Sequence, residues 1–207
     1  MSYLTGGFKT EDKHTLRVDS TDIFAVQKLK NHLLFLLGKN YCREQQLIVL
    51  CIGTDRSTGD ALGPLTGSKL KQLSPPGIRV YGTLDEPVHA VNLVETILDI
   101  KKTHPAPFII AVDACLGRME SVGCIDLGSG PLCPGAGVSK ELPLVGEIFI
   151  NGIVNVSGFL EYFVLQNTRL SLVFRLAEII TRGIYCTALA LRQGKKPSGS
   201  KNTEAAR

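Results

Sequence analysis

The chain alternates short, continuously apolar runs with longer stretches whose apolar residues recur at helical spacing. LIVLCIG (47–53) is too short and too uniformly apolar for a half-exposed helix, and predicts a strand buried on both faces. IRVYGT (78–83) and FIIAVDA (108–114) predict two more strands. Between them, ALGPLTGSKLKQL (61–73) predicts a helix, with Pro64 in its first turn where a missing N–H costs little, and PPG (75–77) ends it. EPVHAVNLVETILDIKKT (86–103) spaces Val91, Val94 and Leu98 for an amphipathic helix, closed by Pro105 and Pro107. Upstream, Ile23, Val26, Leu29, Leu33, Leu36 and Leu37 fall near a helical period, with Gly38 as the stop.

Strands alternating with helices predict right-handed β-α-β crossovers and a parallel sheet. After Asp113 the pattern changes. Residues 121–130 and 146–153 predict further strands, separated by the Gly- and Pro-rich stretch 130–143. SGFLEYFVLQN (157–167) and the long apolar stripe of 170–192 predict two more helices. The expected fold is therefore α/β, a three-layer α/β/α sandwich with a mostly parallel twisted sheet. One domain spans 21–192, with an irregular segment over 1–20 and a basic tail over 193–207. In such sheets ligands sit beyond the carboxyl ends of the strands, and both Asp60 and Asp113 fall at that edge.

Charge narrows the partners. The net +4 is carried entirely by residues 191–207, with five basic residues against Glu204, so the folded part is balanced and no nucleic-acid surface is expected on it. No secretory leader and no run of about 20 apolar residues is visible, so no membrane span is expected and the location is read as cytoplasmic. The six cysteines form no CxxC pair and fit free thiols in a reducing compartment. Association into a homo-oligomer stays open.

Taken singly, Asp60 reads as a helix N-cap and Asp113 as a brace for a neighbouring loop. Taken together, two carboxylates ending adjacent strands can face one cleft, share a proton and divide the work of acid and base. Three rivals are weaker. GTDRSTG (53–59) lacks a phosphate-loop pattern, and Asp60 would repel an anion there. No GxSxG elbow supports a serine nucleophile, and Cys115 has no histidine evidently linked to it. Asp60, Asp113 and His89 could form a metal site, but His89 reads as a solvent-facing residue in a first helical turn.

Four stretches, GTDRSTGDALGPLTG, YGTLDEPVHAVNLVE, IIAVDACLGRMESVGCIDLGSGPLCPGAGVSKEL and GEIFINGIVNVSG, resemble the YyaC-type sporulation proteins of spore-forming Firmicutes over residues 22–190. The DALGP turn, the IIAVDA strand end and the PGAGVSKE loop more distantly resemble the germination protease that degrades small acid-soluble spore proteins. The resemblance implies the fold of the hydrogenase-maturation proteases and an aspartic-type peptidase with Asp60 and Asp113 as its catalytic pair. It implies that Gly135, Gly137 and Ser139 line the cleft, and the matched stretches add Thr54, Asp55 and Glu86 as substrate-binding candidates. The expected partner is a peptide or protein substrate, spore proteins among them. No metal or other cofactor is expected, since no histidine follows His104 to complete a nickel site. The alternative is a non-catalytic sporulation factor that holds a peptide or protein partner in a protease-like cleft.

Overall fold

The computed structural model describes residues 15–134, 142–158 and 160–194. Six strands form one sheet: β1 (Leu16–Asp19), β2 (Gln46–Cys51), β3 (Ile78–Tyr81), β4 (Pro107–Gly117), β5 (Cys124–Ser129) and β6 (Ile148–Val156). Their spatial order is β1-β5-β6-β4-β2-β3. The pairs β2–β3, β2–β4 and β4–β6 are parallel, and β5 is antiparallel to both neighbours, so only β5 runs against the rest.

The sheet is covered on both faces, which is why its central strands read as unbroken apolar runs. Helices α1 (Ala25–Asn40), α2 (Leu62–Leu73) and α5 (Leu170–Gln193) bury Leu33, Leu62, Leu70, Leu176 and Ile180 with Val49, Ile110 and Ile150 of the sheet. Helix α3 (Leu93–Thr103) covers the opposite face, where Leu93 and Ile100 pack with Ile48, Leu50 and Ile109, joined by Leu132 and Val145. The short α4 (Glu161–Gln166) links β6 to α5. The expected three-layer architecture is thus observed.

Helix α2 lies unusually close to the sheet. Its Gly63 and Gly67, four residues apart on one face, sit against backbone carbonyls. A Cβ on Gly63 would lie 1.9 Å from the Ile52 oxygen, and one on Gly67 would lie 1.8 Å from the Gly82 oxygen. A Lys69–Glu178 ion pair (2.8 Å) fastens the outer side of α2 to α5.

Several boundaries differ from the pattern-based expectation. Residues 16–19, expected to be irregular, form β1, whose partner β5 lies far along the chain. Arg17 holds that edge by two hydrogen bonds to Asp126 (2.6 and 2.7 Å). Four residues of alternation are too few to announce a strand without sight of that partner. Gly38 does not stop α1, which runs on to Asn40. The helix expected from 86 starts only at Leu93. Before it, Val88 forms a parallel bridge with Ile52, and residues 90–92 form a turn in which the Asn92 and Leu93 N–H groups donate to the His89 carbonyl. Strand β4 passes Asp113 and continues to Gly117, because β6 still pairs with it. Among the described residues no helix is long and apolar enough to cross a membrane.

Candidate active site

The strand order reverses between β2 and β4. From β2 the chain moves outward to β3, then returns across β2 to β4 and on toward β6. Helices α2 and α3 consequently leave on opposite faces, and a crevice opens beyond the carboxyl ends of β2 and β4. Strand β2 ends its pairing with β4 at Cys51↔Val112, and Asp113 is the first β4 residue beyond it.

Asp60 closes the loop that follows β2. Its Oδ2 accepts the Thr54 N–H at 2.9 Å, tying the end of the loop to its beginning. This answers the simpler reading of Asp60 as a helix cap: α2 begins after Ala61 and receives no side-chain cap. The Gly59 N–H donates to the Leu165 carbonyl of α4 (2.9 Å), and Asn155 of β6 donates to the Val164 carbonyl (3.2 Å), so α4 is pinned over the loop. Asp113 is 5% exposed, and its Oδ1 accepts the Ala114 N–H at 2.8 Å.

Both carboxylates line one cavity of about 260 Å³, together with Thr54, Ser57 and His89. The walls are mostly apolar, from Ile52, Val91, Leu142 and Leu165. Tyr162 of α4 also lines it. Sequence reasoning missed His89, Ser57 and Tyr162 as cleft residues. His89 opens the turn before α3, where its N–H donates to Asn92 Oδ1 (2.8 Å) and its carbonyl accepts the Asn92 and Leu93 N–H groups. The Asn92-x-x-Glu95 spacing, a helix-start signature, was the signal that could have moved the helix start past His89.

The other expected residues divide. Thr54 lines the cavity, whereas Asp55 and Glu86 are not among its walls. Asp55 is exposed beside Thr54, and Glu86 is exposed and paired with Lys71 at 3.2 Å. Gly135, Gly137 and Ser139 lie outside the described residues, although the flanking Pro134 and Leu142 both line the cavity. No group of three His, Cys, Asp or Glu side chains suited to hold a metal occurs among the described residues, so Asp60, Asp113 and His89 do not make such a set.

Burial pushes the Asp60 carboxyl above its ordinary range, against the opposing pull of the Thr54 N–H and of His89. The folded protein therefore keeps a proton on Asp60 that the unfolded chain has already released. This contribution favours folding fully below the ordinary carboxylate range and fades as pH rises through the folded value. Asp60→Asn removes the penalty. The variant is expected to melt close to the parent near about pH 3 and above it near about pH 7.5. Thermal unfolding at both pH values checks this, and a parent that is the more stable at neutral pH would contradict it.

Cys115 is disarmed by its surroundings. Burial, followed by the charges of Asp113 and Asp126, pushes its thiol up to about 12, so almost no thiolate exists at neutral pH. Cys115→Ser is expected to leave any activity within about twofold of the parent. Iodoacetamide should label the exposed Cys42 and Cys133 first, as peptide mass mapping would show.

Comparison with known proteins agrees with this architecture. The chain is similar in structure to the NiFe hydrogenase maturation protease HycI from Thermococcus kodakarensis KOD1. The TM-score is 0.50 at 16% identity, covering 76% of this chain and 98% of that one, a likeness of fold. In sequence it is 54% identical over 182 residues to "Uncharacterized protein YyaC" of Bacillus subtilis (strain 168), with 88% of each chain covered. A family model described as "Protein of unknown function (DUF1256)" matches residues 17–183. The chain that builds this two-carboxylate cleft is thus a member of the DUF1256 family.

Proposed function

We propose that this protein is a peptidase in which Asp60 and Asp113 share a proton and activate water against a peptide bond. One observation carries the reading: two carboxylates from different elements, β4 and the loop after β2, line the same largely apolar cavity at the switch point of the sheet. The protease-like fold is consistent with it. Burial raises the Asp60 carboxyl above its ordinary value, which favours its protonated form. The ionised carboxylate takes a proton from water while the water oxygen attacks the carbonyl carbon. The protonated partner then donates to the leaving nitrogen as the C–N bond breaks. An acid and an amine are released, and the pair again holds one proton. The titrating unit is the pair, so neither residue is assigned a fixed role.

The apolar walls suit an unfolded segment, whose side chains are free to enter, better than a folded surface. The resemblance of its motifs to sporulation proteins makes spore proteins, in the cytoplasm of a sporulating cell, the first substrates to try. The purified protein is incubated with unfolded casein and with spore proteins, with and without a chelator, and products are identified by mass spectrometry. New termini formed equally in both conditions support the reading. Binding without cleavage would favour the partner-holding alternative, and cleavage lost with the chelator would transfer the chemistry to a metal.

A further inference from the structure

Two buried hydroxyls among the described residues have no hydrogen-bond partner, Ser57 Oγ and Thr181 Oγ1. Their settings differ. Thr181 is in the middle of α5, 2% exposed, and does not line the candidate active-site cavity. Ser57 is 7% exposed and lines that cavity, in the loop that ends at Asp60. A hydroxyl withdrawn from water without a partner costs free energy, and such groups in native proteins call for an explanation.

The local frame holds Ser57 in place. Its carbonyl accepts the Ala61 N–H at 3.0 Å, one residue beyond Asp60. The next turn of the loop is fixed to α4 through the Gly59 N–H. The backbone is thus committed on either side while the side chain is left unsatisfied. Ser57 Oγ is in hydrogen-bond contact with neither Asp60 nor His89, so no base is set to make it a nucleophile. The hydroxyl of this cavity-lining residue therefore has donor capacity that no described protein group uses.

We infer that Ser57 is a substrate-positioning residue whose hydroxyl donates to a main-chain carbonyl of a peptide bound in the cleft. The peptide as ligand rests on the reading of the site given above. A main-chain contact binds many sequences alike, and the apolar walls then select among side chains. Ser57 acts by fixing the chain beside the carboxylates and takes no part in proton transfer.

The test compares the parent with Ser57→Ala, and with Ser57→Cys, which keeps a weak donor of similar size. Fluorescein-labelled unfolded casein is the probe. Its binding is followed by anisotropy, its cleavage by steady-state kinetics, and the stability of each free protein by thermal unfolding. The expected result is a free Ser57→Ala protein that melts no lower than the parent and binds casein about tenfold more weakly. Where casein is cleaved, KM rises with kcat held within about twofold, and Ser57→Cys falls between the two. Unchanged affinity and KM would overturn the inference while leaving the peptidase reading intact. A free Ser57→Ala protein that melts several degrees lower would also overturn it, by revealing a structural partner. If the parent binds casein without cutting it, the peptidase reading falls, and the tenfold loss of affinity still decides for or against Ser57. A parent that neither binds nor cuts casein overturns the peptide assignment itself.

Discussion

Asp60→Asn and Asp113→Asn are each expected to lower kcat on an unfolded protein by about 10³-fold or more, and the double variant by little further. The near-equality follows from the proposal that the two carboxyls share one proton. With either carboxyl replaced by an amide, the site no longer has one group to accept from water and another to donate to the leaving nitrogen. Removing the second group then has nothing left to disable. Casein affinity should hold within a few fold in all three variants, because an amide keeps the shape of the cavity. In Asp60→Asn the amide oxygen can still accept the Thr54 N–H that Asp60 Oδ2 accepts in the parent. Single-turnover cleavage followed by mass spectrometry separates this from a binding defect. Additive losses in the double variant, or full activity in either single one, would remove the pair from the mechanism. The same variant links to the stability prediction: Asp60→Asn is expected to gain stability at neutral pH while losing activity, as happens where a desolvated carboxylate is kept for function.

Gly67→Ala is expected to cost about 3 kcal/mol or more, lowering the melting temperature by about 10 °C. Its new Cβ would stand 1.8 Å from the Gly82 carbonyl oxygen, a backbone atom that no rotamer change can move. Helix α2 would have to lift from the sheet, and the loop carrying Asp60 leads directly into that helix. Gly63→Ala, at 1.9 Å from the Ile52 oxygen, is expected to behave alike. Gly38→Ala is the control. Nothing stands within 4 Å of its Cβ position inside α1, so a stabilisation of about 0.5–1 kcal/mol is expected from helix propensity. Thermal or urea unfolding of the three variants gives the comparison. Equal melting temperatures for Gly67→Ala and the parent would show that α2 can be raised without cost.

Much of this arrangement is legible along the chain because its signals are local. LIVLC and FIIAV are apolar without interruption because both faces of their strands are covered, and that needs no partner to be recognised. Asp113 stands out as an acid directly at the end of such a run, and Asp60 as the acid that closes the loop after the other and precedes a helical pattern. The apolar spacing of Val91, Val94 and Leu98 imitates a helix running from 86, whereas α3 begins only at Leu93, after a turn in which the His89 carbonyl accepts the Asn92 and Leu93 N–H groups. Tyr162 and Ser57 carry no local signal for the cleft. One arrives on α4 from the far end of the chain, and the other differs from any loop serine only in having its hydroxyl buried.

What the amino-acid order determined by itself is therefore the alternation of strands and helices, the covered sheet, and two acids at its carboxyl edge. These follow from periodicity and from the preference of apolar runs for burial, both of which act within a few residues. Long-range packing alone brings β4 back beside β2, sets β1 at the far edge and lays α4 over the Asp60 loop. Those outcomes depend on which distant surfaces pack together. The desolvation that raises Asp60 and the stranded hydroxyl of Ser57 exist only after that packing is complete.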